Sequence, residues 1–358
     1  MKIYILLSIL LFSFIYCDNY AVLVAGSNTY TNYRHQSDVF HHYHILVDRG
    51  IKPENIVVFA YDDIATAAKN PFPGKVFNSP EGKDVYEGVV IDYFGVDVNP
   101  ENFIAAITGE VDSLTIKDKR TTGKVLTSTE NDNVYFFYSD HGSDNLISFP
   151  NKYLYSDELY DAFVTMYDKK MYKELVFYME ACHSGSMFDQ ILPTNMSIYA
   201  VTAANPHESS YADYCSYDAR INGTLMGTCL GDEFSCRFME EEKKTAKIDN
   251  DNYRLEWFRM QAEQTNDMEA ENEYYEEIAQ EGRTTKIFEI FNKWFNLPKR
   301  DFNEPIDFDC YRKVVNAYEN KCGMLIDRDF KFMTHIANFC AQGISPRRAV
   351  NAFATICE

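Results

Sequence analysis

Five short runs rich in β-branched and aromatic residues, 20–25, 56–61, 134–138, 175–179 and 198–202, punctuate the first two-thirds of the chain. Their length and near-continuous apolar character predict strands buried on both faces. Between them, 35–49 has helical spacing closed by Gly50, and 156–170 reads as a helix with Ser156 as N-cap ahead of Asp157 and Glu158. Such alternation predicts an α/β fold, a mostly parallel sheet flanked by helices. Segment 62–109 carries Pro71, Pro73, Gly74, Pro80, Gly82 and Gly95 and reads as an extended surface excursion. From 240 to about 280 the residues are charged or amide-bearing with little apolar periodicity, as in a partly helical, protease-accessible linker. Residues 306–358 read as a compact helical unit.

The N-terminus changes the picture of where this fold is made. Lys2, an apolar stretch over 3–16, then Cys17 and the polar pair Asp18 and Asn19 match a signal peptide, expected to span 1–17. A membrane-spanning helix needs roughly 20 apolar residues, and no later stretch is apolar enough, so no membrane span is expected in the mature form. The secretory route permits disulfides, and the sequons at Asn195 and Asn222 fit glycosylation there. A formal net charge of −20 argues against nucleic acid as a partner, because phosphate binding needs neutralising cations. With 358 residues the chain has room for one sizeable domain and a smaller appendage.

In open parallel sheets the ligand crevice lies beyond the carboxyl ends of the strands. The residues following the predicted runs are Asn28, Asp62, the pair Asp140 and His141, the pair Glu180 and Cys182, and the pair Ser209 and Ser210. A nucleophile, a base and several polar groups thus converge on one edge. A cysteine attacks a carbonyl only as thiolate, and with a reference pKa of about 8.5 it needs a partner such as His141. Glycine lies beside each, at Gly142 and Gly185, where a backbone amide can approach a substrate. The amides of Gly142 and Cys182 are candidates for holding an oxyanion.

Six segments, VAGSN at 24–28, NYRHQ at 32–36, YDDIA at 61–65, SDHGS at 139–143, EAC at 180–182 and TAANP at 202–206, resemble legumains, asparaginyl endopeptidases of the caspase-like clan. The resemblance runs in consistent order from about 20 to 240 and is weaker beyond. It implies a caspase-like catalytic domain at 18–239, an acidic activation linker at 240–285 and a helical, disulfide-containing C-terminal prodomain at 286–358. It makes Cys182 the nucleophile, His141 the acid/base, Asn32 the residue orienting the imidazole, and Asp140 a succinimide candidate. Arg34, His35, Glu180 and Asp232, with Ser209 and Ser210, match the pocket for an asparagine carboxamide. Such a pocket gives the amide oxygen a donor and the amide nitrogen an acceptor, so aspartate fits only when protonated. His183 departs from the family, where glutamate often follows the nucleophile; a second histidine there can alter the pH optimum or the balance of hydrolysis against transpeptidation, but the reading preferred is an exposed substitution without consequence.

The resemblance also pairs Cys310 with Cys340 and Cys322 with Cys357, where spacing alone allows three connectivities, and bridges Cys215 with Cys229. Cys236 is left as a buried free thiol. The histidines His35, His41, His42 and His44 fall around one helix without a carboxylate or thiolate set at zinc spacing, so no metal or cofactor is expected. The partners implied are peptide and protein substrates, the prodomain as intramolecular inhibitor, and cystatin-like inhibitors, in a lysosomal or vacuolar compartment or outside the cell. Release of the prodomain is expected after linker asparagines (Asn250, Asn252, Asn266 or Asn272), triggered as acid removes ion pairs. Because a thioester can be opened by an amine as well as by water, peptide ligation is an alternative outcome. A GPI-transamidase-like enzyme and an inactive homologue acting as a binding module are the others.

Overall fold

In the computed structural model, which describes residues 17–239, 248–249, 268–325 and 327–357, five strands form one wholly parallel sheet. The expected signal segment, Cys17 apart, and most of the expected linker lie outside the described residues. The strands in chain order are β1 (Asn19–Ala25), β2 (Ile56–Phe59), β3 (Asn133–Ser139), a small antiparallel set β4 (Gly142–Ser143), β5 (Leu146–Phe149) and β6 (Lys152–Tyr155), then β7 (Glu174–Glu180) and β8 (Ile198–Thr202). The sheet order is β2-β1-β3-β7-β8.

Period-two alternation divides each strand between two cores. Val22, Val24, Phe136 and Tyr138 face a layer containing Phe103, Leu159 and Phe163 from helices α2 (Pro100–Ile107) and α3 (Ser156–Asp168). Ala21, Leu23, Ala25 and Phe137 face Val39, Phe40 and Tyr43 of helix α1 (Tyr33–Asp48). Beyond the sheet, strand β9 (Tyr211–Asp213) pairs antiparallel with β12 (Gly231–Asp232) and with β13 (Ile248–Asp249), around the small hairpin β10–β11 (Arg220–Ile221 and Thr224–Leu225). Helix α4 (Glu233–Met239) follows β12.

Three local expectations are corrected. Strand β2 ends at Phe59, because Tyr93 stacks on the Phe59 ring with centroids 4.0 Å apart and its carbonyl takes the Ala60 N–H at 3.1 Å. The segment 62–109 is no mere surface excursion: Ile64, Val76, Ile91, Tyr93 and Phe103 are core residues. Its prolines and glycines mark turns faithfully but do not report where the chain between them packs. Ser156 is the first helical residue of α3 and not its N-cap; Tyr155 holds that position, its N–H donating to Glu158 Oε2 at 3.0 Å, while Ser156 Oγ donates to Asn145 Oδ1 at 3.1 Å.

The C-terminal unit comprises α5 (Met268–Phe295), α6 (Phe308–Cys322), a 3₁₀ segment (Asp327–Phe332), α7 (Met333–Ala341) and α8 (Pro346–Ile356). Helix α5 runs through the boundary expected at 285/286. Disulfides join Cys310 to Cys340 and Cys322 to Cys357, and a third joins Cys215 to Cys229. Phe288 and Phe291 centre the core, with Phe288 stacked on Phe332 and on Tyr318, each at 5.2 Å. This unit docks on β4–β6: Leu146 and Tyr155 join its core, Tyr311 Oη donates to the Asp144 carbonyl at 3.0 Å, and Arg312 grips Asp157 with two nitrogens at 2.9 and 2.8 Å.

Truncating a buried phenylalanine removes its transfer energy and leaves a cavity, together about 3–5 kcal/mol. Phe288→Ala is therefore expected to lower the denaturant midpoint at which limited proteolysis digests the C-terminal unit, while the sheet domain keeps its own midpoint. An unchanged C-terminal midpoint would contradict the packing described.

Candidate active site

Strands β3 and β7 pair in register from Asn133 opposite Glu174 to Ser139 opposite Glu180, and the Asp140 N–H continues the ladder onto the Glu180 carbonyl at 3.1 Å. The chain segments leaving the two strands, Asp140-His141-Gly142 and Ala181-Cys182, therefore emerge side by side. A Cβ at Gly142 would lie 2.5 Å from the Cys182 carbonyl oxygen and 3.0 Å from Ala181 Cβ, so only glycine allows this approach. The turn after β1 adds the start of α1, and Asn32 Oδ1 lies 3.1 Å from His141 Nε2. All three of Cys182, His141 and Asn32 are buried, and Phe330 of the C-terminal unit lies beside the His141 ring. Cys182 Sγ receives the Ser210 N–H at 3.3 Å, with Ser210 Oγ at 3.8 Å.

Beneath this cluster lies a second set of polar groups, almost wholly buried. Arg34 Nε donates to Asp232 Oδ1 at 2.9 Å, and His35 Nε2 lies 3.7 Å from Asp232 Oδ2. His35 Nδ1 meets Ser27 Oγ at 2.7 Å and Asp140 Oδ1 at 3.2 Å, and its ring stands edge-to-face with His141, centroids 5.0 Å apart. Glu180 Oε2 accepts from Ser235 N at 2.9 Å and Ser235 Oγ at 3.0 Å, while Oε1 accepts no hydrogen bond among the described residues. Ser210 belongs to both clusters, holding the sulfur and lying beside Glu180. Ser209 is half-buried and makes no hydrogen bond to the pocket among the described residues.

The sequence comparisons fit this arrangement. A profile of the Peptidase C13 family matches residues 19–287, and one described as the legumain prodomain matches 299–357. The chain belongs to the Peptidase C13 family. It is 49% identical to a hemoglobinase of Schistosoma mansoni over 226 residues, 63% of this chain and 49% of that protein. It is 47% identical to a legumain of Homo sapiens over 223 residues, 62% of this chain and 49% of that one. The chain thus spans about half the length of these relatives. Against a vacuolar-processing enzyme of Citrus sinensis the identity is 33%, across 95% of this chain and 85% of that protein.

For this C13 chain the electrostatics of the pocket are dominated by burial. Desolvation, then the charges of Asp232 and Glu180, pushes the Asp38 carboxyl well above the ordinary range; Glu180 is raised by burial and then by Asp232. Burial, aided by the positive charges of Arg34 and His141, holds His35 well below the usual histidine value, so its imidazole is neutral. Asp38 was not singled out by its sequence. It sits one helical turn after Arg34, and its carboxyl accepts from Asn78 Nδ2 at 2.7 Å and lies 3.3 Å from the Asp232 N–H. Ser235, which holds Glu180, was equally invisible; no local pattern marks either.

Other expected positions fall elsewhere. Asp62 makes its contacts apart from this cluster, accepting from Tyr86 Oη at 2.6 Å and pairing with Arg120 at 2.8 Å, its side chain 13% exposed. His183 is not an exposed substitution: it is half-buried in a left-handed conformation (φ 53°), its Nδ1 3.0 Å from the Pro206 carbonyl, so its ring pins the turn after Cys182. Cys236 is buried and takes part in none of the three disulfides, its Sγ donating to the Asn78 carbonyl at 3.9 Å, and the asparagines of both sequons are exposed. Among the described residues the cluster with ligand atoms close enough for a metal is His35, Asp140 and His141, all within 4.8 Å of one another, and its histidines already contact Ser27, Asp140 and Asn32.

A carboxyl raised on folding binds its proton in the native state and releases it on unfolding. Stability from Asp38 and Glu180 is thus greatest near the ordinary carboxylate range, about pH 4, and declines as pH climbs toward their raised values. Thermal melts of a Cys182→Ala form should show a higher midpoint at pH 5 than at pH 8, and Asp38→Asn should flatten that slope. A midpoint that rises with pH, or a slope indifferent to Asp38→Asn, would contradict this reading.

Proposed function

We propose that the protein is a cysteine endopeptidase that hydrolyses peptide bonds after asparagine and is made as an autoinhibited precursor. The observation that supports this most is Ser210, which touches the sulfur of Cys182 on one side and Glu180 of the pocket on the other. A side chain seated in the pocket therefore has its own carbonyl carbon within reach of the sulfur.

The selectivity follows from charge. Arg34 is the pocket's permanent cation, and its charge is already met by Asp232, so no net positive charge remains for an incoming carboxylate. A carboxamide suits the site better: its oxygen can accept from Arg34 and its nitrogen can donate to Asp232. Ser209 and His35 complete the wall.

In the reaction, Cys182 Sγ adds to the carbonyl carbon as thiolate, and the oxyanion is received by backbone N–H groups including that of Gly142. His141, oriented by Asn32, donates its proton to the leaving amine as the C–N bond breaks. The thioester that remains is opened by water activated by the same imidazole, or by an amine, which gives ligation. Asp140, against His35 and the Gly26 backbone, is the succinimide candidate. Relatives named vacuolar-processing enzyme support a destination on the secretory route, vacuolar, lysosomal or outside the cell, with glycans expected on Asn195 and Asn222.

The C-terminal unit acts as the inhibitor, since Phe330 lies over the His141 ring with centroids 6.0 Å apart. Its contact carboxylates do not all favour release by acid. Burial raises both Asp144, which faces Arg300 at 3.4 Å, and Glu319, which accepts from Tyr153. The docked state therefore binds protons more readily at these two positions, and above the ordinary carboxylate range a falling pH strengthens docking there. These residues oppose acid-driven release, which must come from other groups.

The test is acid treatment of the wild type and a Cys182→Ala variant, followed by mass-spectrometric mapping of cleavage in a mixed peptide library. Cleavage is expected after asparagine and to vanish in Cys182→Ala; activity surviving that substitution removes the mechanism. Because an aspartate side chain is neutral in only about one molecule in a thousand at pH 7 and about one in five at pH 4.5, cleavage after aspartate relative to asparagine should rise about 250-fold between the two. Equal ratios at the two pH values would contradict the proposed pocket chemistry.

A further inference from the structure

Of the six segments that resemble legumains, 61–65 reaches the site through Asp63. One oxygen of its carboxylate, Oδ2, accepts the Thr29 N–H at 2.6 Å, and the other, Oδ1, accepts from Gln36 Nε2 at 2.8 Å. Gln36 is wholly buried in α1, and its Oε1 takes the Asp62 N–H at 3.0 Å, which fixes its amide with the nitrogen toward Asp63. Thr29 stands at φ 71°, ψ 155°, a backbone region that glycine enters freely and a β-branched residue almost never does. Its carbonyl accepts the Asn32 N–H at 3.2 Å, and Asn32 Oδ1 lies 3.1 Å from His141 Nε2.

A threonine in that region relaxes toward negative φ unless its neighbours hold it. Turning there with the carbonyl kept on Asn32 swings the N–H off Asp63; turning with the N–H kept swings the carbonyl off Asn32. The two hydrogen bonds coexist only at positive φ, so the grip of Asp63 on the N–H also decides where Asn32 stands. We propose that Asp63 is a positioning residue for the reaction, acting on His141 through Thr29 and Asn32 by holding Thr29 in a glycine-like conformation. This rests on the asparaginyl endopeptidase reading above and extends it to a residue behind the reacting groups. Both oxygens of Asp63 accept, so an asparagine in its place serves only one of the two donors. Gln36 cannot turn to compensate without facing its own nitrogen to the Asp62 N–H.

The experiment is a double-mutant cycle on acid-activated protein: wild type, Asp63→Ala, Thr29→Gly and the double variant, assayed on one asparagine peptide with rates taken per titrated active site. Misplacing the acid/base slows the chemical step more than it weakens substrate binding, so Asp63→Ala is expected to lower kcat about 10- to 100-fold and to change KM less than about twofold. The decisive figure is the same substitution in the Thr29→Gly background, where it should cost no more than about threefold, because glycine occupies this conformation without being held. Asp63→Asn, which keeps the size and one acceptor, should lose about three- to tenfold and be relieved by Thr29→Gly in the same way; it carries the cycle if the alanine form does not fold. An unchanged kcat, a loss confined to KM, or a loss of equal size in both backgrounds overturns the inference while leaving asparagine cleavage intact. A wild type that cuts no asparagine peptide defeats the protease reading and the inference with it.

Discussion

Everything at the candidate site depends on the unbroken parallel register of β3 and β7. Seven paired positions, ending with Ser139 opposite Glu180 and extended by the Asp140 hydrogen bond, fix where the two chains leave the sheet. A slip of one residue would turn every side chain to the opposite face, sending His141 and Cys182 into different layers. The apolar contacts of Phe136, Tyr138, Phe177 and Met179 on one face hold that register. The closeness of Gly142 to the Cys182 backbone then leaves no room for an alternative path. The geometry of the candidate site is a consequence of core packing several residues away.

The second constraint is the burial of charge. Arg34, Asp38, Asp232 and Glu180 share a small volume closed to water, with one permanent cation among three carboxyls. Such a cluster is tolerated only because protons and hydrogen bonds make up the difference: Asp38 and Glu180 are pushed toward their neutral forms, and Asn78, Ser235 and backbone amides occupy their oxygens. Breaking a buried pair from one side leaves an uncompensated charge, costing about 3–5 kcal/mol. The arrangement therefore stabilises little by itself; it creates a site that is polar at both ends yet has no charge to offer a carboxylate.

Much of this was legible in the sequence because the signals were local. Short apolar runs located the five strands, and on the side of their carboxyl ends Ser210 meets both Cys182 and Glu180 while His141 meets Asn32. What stayed hidden depends on partners far away along the chain. Glu180 is held by Ser235, fifty-five residues on, and Ser143 by Phe330, at a separation of 187. Helix α1 defeats simple amphipathic reading, since Arg34, His35, Asp38 and His42 are buried although polar. Tyr93 sits in turn-rich sequence yet packs beside β2 because its ring stacks on Phe59, while Val76, from the same stretch, joins the opposite core.

The central claim is that Cys182 is the reacting sulfur and that it is addressed through a carboxamide pocket. The most direct measurement is covalent capture: acid-activated protein incubated with a short peptide ending in an asparagine-derived electrophilic ketone, then intact-mass analysis and peptide mapping. One adduct, on Cys182, is expected, with the aspartate counterpart failing to label at neutral pH. Labelling of Cys236 instead, or equal labelling by both reagents at pH 7, would contradict the account.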